Sequence, residues 1–162
     1  MVEKICGLLQ KKMKPLFVLT GTFIISVLVL EITGHGLESA MSGRIAMTVM
    51  LVFTAVSHFA LTKGMVMMMP SFIPFKKTLV YFTGIFEIAA AIGIQISGIR
   101  VLTAWLLIFF FILLLPANIN AAIRKVDFQK ANYDGPGIRY LWFRVPLQIL
   151  FILWTYFSAI RF

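Results

Sequence analysis

The chain has 162 residues, 60% hydrophobic and 13% charged, and its net charge is +9. A globular protein carries about a quarter charged residues, so this apolar excess cannot all enter one small core, and we expect the bilayer to be the solvent. The basic residues lie between apolar runs and form no patch with interleaved aromatics, so we expect no nucleic-acid partner.

The amino-terminal segment has a basic start and then an apolar run, a pattern that signal peptides share with membrane helices. No small-x-small cleavage motif follows, so we expect a retained helix over Leu16–Ile32. Cys6 is the single cysteine, which excludes an intrachain disulfide and a CxxC motif. It is either an ordinary small residue or a palmitoylation site.

Four further apolar segments approach the roughly 20 residues that a membrane helix needs. They are Arg44–Thr62, Thr78–Ile96, Val101–Ile123 and Leu141–Ile160. Pro70 and Pro74 separate the first two of these segments, and a tight turn at residues 95–100 predicts an antiparallel hairpin between the next two. Pro146 should lie in the first turn of the last helix, where proline is tolerated.

The basic residues alternate between the two sides of the predicted helices. Twelve of the 15 Lys and Arg residues fall before the first segment, in the second and fourth connections and, in the case of Arg144, near the start of the last segment; the others are Arg44, Arg100 and Arg161. Under the positive-inside rule, we expect an all-α membrane protein with five spans, a cytoplasmic amino terminus and an external carboxyl terminus. The first segment could instead lie along the membrane surface.

We expect two parts: residues 1–43, with the basic segment, first span and outer loop, and residues 44–160, a four-span bundle. The expected location is a cell membrane, the cytoplasmic membrane of a bacterium.

Glu87 stands out in the apolar stretch "YFTGIFEIAAAIG". A rise of about 1.5 Å per residue places it near the midplane, where a carboxylate is costly and indicates a functional site. Such a group is either protonated or paired with a cation. Arg144 and His58 are the candidate partners, and we favour Arg144 because it is always charged.

The same topology brings a set of polar residues from four helices into the cytoplasmic half of the bundle. They are His58, Glu87, Asn118, Arg144 and Gln148. On the fourth of the five helices, Pro116 removes a backbone hydrogen bond, and Asn118 could either repair the resulting kink or line a cavity.

The methionines between residues 65 and 69 are more typical of flexible apolar packing than of copper binding. The two histidines, His35 and His58, are predicted to lie on opposite sides of the membrane. We therefore expect no metal site.

Five motifs give the chain a resemblance to the DoxX-like family of small membrane proteins: "SHF", "MMMPSFIP", "TGIFEIAAAIG", "LLPANINAA" and "RVPLQ". The resemblance covers about residues 44–156 and implies a four-helix bundle, to which the first span is an addition. It places Pro116 and the five polar residues above within family motifs, and it implies an association with quinone or quinol oxidoreduction. A distant animal relative resembles a receptor-assembly chaperone, and most members have no assigned activity.

Our leading hypothesis is an accessory membrane component, not an enzyme on its own. Its polar pocket would bind a lipid-soluble ligand, with a quinone as the candidate cofactor, beside aromatics such as Phe59 and Phe143. Partners would be the bilayer and a membrane redox protein. The alternative is a non-enzymatic assembly or chaperone-like factor with a client protein. Proton-coupled transport is disfavoured because the outer half of the helices is apolar. The oligomeric state stays open.

Overall fold

The computed structural model describes residues 14–34 and 38–161 of the chain. The described residues form seven α-helices and a π-helical turn, with no β-strand. These are α1 (Lys14–Ile32), α2 (Ser39–Ala60), α3 (Thr62–Met68), α4 (Lys76–Gly93), α5 (Arg100–Leu113), α6 (Leu115–Ile123), α7 (Arg139–Thr155) and the π-helical turn Tyr156–Arg161. The predictions for Cys6 and His35 fall outside the described residues.

Within residues 14–34 and 38–161, four helical stretches are long and apolar enough to cross a membrane, as a helical membrane protein requires. They are Lys14–Ile32, Ser39–Ala60, Arg100–Ile123 and Arg139–Arg161. The fifth predicted span corresponds to α4, which is shorter, at 18 residues. It also carries three charged residues: Lys76, Lys77 and Glu87.

Two features differ from the predicted elements. The segment predicted as one helix over Val101–Ile123 divides into α5 and α6 at Leu114. Pro116 is the second residue of α6. Pro146 lies inside α7 and not in its first turn. The helix begins at Arg139, two residues earlier than predicted. The Tyr140 side chain is buried there, and the Tyr140 backbone N–H donates to the Gly137 carbonyl.

Helix α2 occupies the centre of the bundle and packs against α1 on one side and α4 on the other. The core between the helices is built from small and apolar side chains. Its fully buried members include Leu19, Met47, Met50, Leu51, Ile94 and Leu107. Large apolar side chains also cover the exterior, as helices surrounded by lipid require.

The face of α4 that carries Glu87 lies against α2, as the spacing of its small and polar residues predicts. This face consists of Gly84, Glu87 and Ala91, and Gln95 continues it just beyond the end of the helix. Thr48 of α2 donates a hydrogen bond to the Ala91 carbonyl and accepts one from the Gln95 side chain at 2.7 Å. Ile85 and Ile92 point away and are exposed. Glu87 is therefore held at the helix contact and does not face the exterior.

Candidate functional site

A cavity of about 580 Å³ lies at one end of the bundle, among α2, α4, α6 and α7. This volume is within the range of sites for small molecules and cofactors. All five residues of the predicted polar pocket line it, namely His58, Glu87, Asn118, Arg144 and Gln148. They form two groups on different walls.

The first polar group joins α2 to α4. Nε2 of His58 lies 3.5 Å from Oε1 of Glu87. Thr83, one turn before Glu87, donates its hydroxyl to the Val80 carbonyl at 2.8 Å and lies 3.0 Å from Nδ1 of His58. Glu87 is only 3% exposed, and its other oxygen, Oε2, has no hydrogen-bond partner among the described residues. Glu87 thus has one carboxyl oxygen in contact with His58 and one without a hydrogen-bond partner among the described residues.

His58, not Arg144, is the partner of Glu87, so the preference for Arg144 is wrong. Nε of Arg144 donates to the Tyr140 hydroxyl at 2.8 Å. The guanidinium also lies over two aromatic rings, 5.7 Å from the centroid of Phe128 and 5.4 Å from that of Tyr140. Cation–π contacts and a hydrogen bond hold this cation at the α7 wall, and no described ion pair joins it to Glu87.

The second polar group is a chain of hydrogen bonds that starts at Arg144. After the Arg144–Tyr140 bond, the Tyr140 hydroxyl donates to the Asn118 side chain at 3.3 Å. Asn118 donates to the Gln148 side-chain oxygen at 3.4 Å, and Gln148 donates to the Phe111 carbonyl. Asn118, Tyr140 and Gln148 are all buried, so the bonds replace the water that these groups have lost.

The last hydrogen bond of this series, from Gln148, stabilises the break between α5 and α6. The Leu114 N–H bonds to the carbonyls of both Phe110 and Phe111, and the Phe111 carbonyl takes a second bond from Gln148. The side-chain amide that supports the break therefore comes from Gln148 on α7. Asn118 has the other predicted role, since it lines the cavity.

Helix α3 and the loop between α6 and α7 close one end of the cavity. Gly64 touches Phe128 so closely that a Cβ built on it would lie 1.8 Å from the Phe128 carbonyl oxygen. Asn120 donates to the Met68 carbonyl at 2.7 Å, and Met65 and Met68 line the cavity. The methionines thus act as apolar wall. Among the described residues, no group of three His, Cys, Asp or Glu residues could hold a metal ion.

Three residues of the site were not predicted: Thr83, Tyr140 and Phe128. Thr83 precedes Glu87 by four residues and Tyr140 precedes Arg144 by four, so helical spacing is the signal that could have found both. Phe128 lies in a loop and offers no such signal. The predicted aromatics Phe59 and Phe143 are not among the lining residues, which include Phe111 and Phe151 instead.

A family model described as a domain of unknown function (DUF8561) matches residues 47–159. The match runs from α2 into the π-helical turn and includes every residue of the two polar groups. No curated protein and no solved structure matches the chain. The resemblance to the DoxX-like family stays a prediction.

Proposed function

We propose that this chain, a member of the family of the domain of unknown function DUF8561, is a membrane protein that binds a lipid-soluble ligand in its cavity. The ligand class we propose is a quinone, in its oxidised or its reduced form. One observation carries the proposal: two polar groups stand on different walls of a cavity whose remaining lining is mostly apolar. Binding sites for small molecules are mostly apolar with a few polar groups that orient the ligand.

The proposed orientation places this cavity on the cytoplasmic side of the membrane. Lys14, helix α3 and the loop between α6 and α7 all border the cavity, and the basic residues of the chain concentrate in these regions. The positive-inside rule therefore supports a cytoplasmic position for this end of the bundle. It also supports α4 as a fifth span. The connection before α4 is rich in lysine, and the connection after it holds only Arg100, so α4 must cross the membrane if these two connections lie on opposite sides.

We propose an accessory role in the cytoplasmic membrane of a bacterium, in which a separate membrane redox protein supplies or removes electrons. The chain's own residues would bind and orient the head group. Arg144 is suited to donate hydrogen bonds to a head-group oxygen, because its guanidinium has five N–H donors and the described bond to Tyr140 uses one. Phe111 and Phe151 supply apolar surface beside that head group.

The proposal is tested by filling the cavity. Ala117 lines it on α6, so Ala117→Phe should displace the ligand, whereas Ala89→Phe adds the same ring to the exposed side of α4. Both variants and the wild type would be placed in lipid nanodiscs and titrated with a short-chain naphthoquinone and its quinol. We expect Ala117→Phe to weaken binding at least about tenfold, since a blocked site loses most of its contacts, with Ala89→Phe unchanged. Absence of binding to the wild type, or equal binding by Ala117→Phe, would refute the proposal.

A further inference from the structure

The hydrogens around His58 can be assigned from the hydrogen bonds of Thr83. A hydroxyl carries one hydrogen, and that of Thr83 is donated to the Val80 carbonyl at 2.8 Å. The contact of 3.0 Å between the Thr83 oxygen and Nδ1 of His58 is then a hydrogen bond only if Nδ1 is the donor. On this reading of the two contacts, we assign a hydrogen to Nδ1 of His58.

The hydrogens on the carboxyl group of Glu87 can be assigned in the same way. Nε2 of His58 and Oε1 of Glu87 lie 3.5 Å apart and would repel each other as two bare acceptors, so an attractive contact requires a proton on one of them. This proton is attached either to the imidazole or to Oε1, and the pair has no net charge in either case. Oε2 of Glu87 carries no hydrogen in both states, so it is an acceptor. It is buried and has no partner among the described residues.

The wall formed by α7 has the opposite requirement. The guanidinium of Arg144 has only donors, and the described hydrogen bond from it is made by Nε to Tyr140. A ligand that satisfies both walls needs a hydrogen-bond donor at its Glu87 end and an acceptor at its Arg144 end.

We propose, building on the ligand binding proposed above, that the cavity selects the reduced form of its ligand and binds a quinol in preference to the matching quinone. One quinol hydroxyl donates to Oε2 of Glu87, and the other oxygen accepts from Arg144. A quinone has the same ring and tail but only acceptors, so it leaves Oε2 of Glu87 buried and unpaired. Selection therefore depends on hydrogen bonding and not on shape, and it requires no electron transfer within this chain.

The experiment compares the binding of four probes to the protein in nanodiscs. All titrations are anaerobic, and a reductant is present only where the probe must stay reduced. The probes are a short-chain naphthoquinol, the matching naphthoquinone, and the monomethyl and dimethyl ethers of the quinol. We expect the quinol to bind at least about tenfold more tightly than the quinone and the dimethyl ether, which is the effect of leaving one buried polar group unpaired. The monomethyl ether, which retains one donor, should bind within about threefold of the quinol.

Two variants locate the origin of the preference. Glu87→Leu removes the acceptor at similar volume and should bring the affinities for quinol and quinone within about twofold of each other. Arg144→Met removes a donor that both forms use, so it should weaken both and leave their ratio intact.

The results separate the two proposals. If wild type binds quinol and quinone equally, or if Glu87→Leu keeps the preference, selection by Glu87 is refuted while ligand binding stands. If the wild type binds none of the four probes, both proposals fail.

Discussion

At the scale of single residues, the burial of Glu87 is made tolerable by a neighbour on another helix. Gly84 allows α4 to approach α2 closely, since a Cβ there would lie 3.0 Å from Cβ of His58. This approach brings the imidazole to the carboxyl, with Nε2 of His58 3.5 Å from Oε1 of Glu87. An isolated carboxylate in an apolar environment would cost several kcal/mol, so the small residue one turn before Glu87 is part of the site.

Thr83→Val should disturb the His58 ring, because valine keeps the shape of threonine but cannot accept the Nδ1 hydrogen. We expect the wild-type protein to show a protonated Nδ1 of His58 by ¹⁵N NMR of labelled histidine, with a His35→Gln variant used to assign the signal. In Thr83→Val the Nδ1 signal should shift, and the free energy of unfolding should fall by about 1 kcal/mol.

The matched control is Thr20→Val, because the described hydrogen bond of the Thr20 side chain is donated within α1, to the Leu16 carbonyl. This variant should leave the His58 signal unchanged. An unprotonated Nδ1 in the wild type would contradict the assignment, and so would a Thr83→Val spectrum identical to that of the wild type.

At the scale of elements, α3 is held in place by contacts with distant parts of the chain. Its glycine lies under the loop that follows α6, and Asn120 of α6 donates to its last turn at Met68. These contacts place α3 and Phe128 over the cavity, so the packing of this short helix shapes the site.

Gly64→Ala should push this loop away from α3, because the added Cβ would overlap the Phe128 carbonyl oxygen. We expect a loss of about 1–3 kcal/mol in the free energy of unfolding, the usual cost of overpacking, together with faster hydrogen exchange in residues 124–138. Gly21→Ala is the control, since no atom lies within 4 Å of its added Cβ, and it should not reduce stability. Equal stabilities of the two variants would show that the contact at Gly64 is unimportant.

The sequence predicted the long helices and the polar residues for a common reason: both are departures from a uniform pattern that hydropathy detects. His58, Glu87, Asn118, Arg144 and Gln148 are conspicuous because polar groups are rare in apolar helices. Helix α3, by contrast, depends on tertiary contacts that leave no local signal. The choice of His58 over Arg144 also depends on how closely α2 and α4 approach, and side-chain charge alone favoured the wrong partner.

At the scale of the whole molecule, the charge distribution and the position of the cavity support the same orientation. The basic residues concentrate at the end of the bundle that holds the cavity. Helix α4 is the critical element of the proposed topology, because its first turn carries two lysines, and its centre carries Glu87. In that proposed topology the lysines lie at the cytoplasmic interface, and the buried Glu87 lies beside His58.

Single-cysteine labelling tests whether α4 crosses. Cys6→Ser removes the single cysteine of the chain, and new cysteines would replace Ser71 before α4, Gly98 after α4, or Lys130 between α6 and α7, all of which are exposed. With a membrane-impermeant maleimide, we expect Gly98→Cys to react in intact cells, and Ser71→Cys and Lys130→Cys to react only in inverted vesicles. Each protected site should react after detergent solubilisation, which controls for buried thiols. Reaction of Ser71→Cys and Gly98→Cys from one side would mean that α4 does not span the bilayer, whereas a complete reversal of the pattern would place the cavity on the external side and exclude the proposed cytoplasmic access for its ligand.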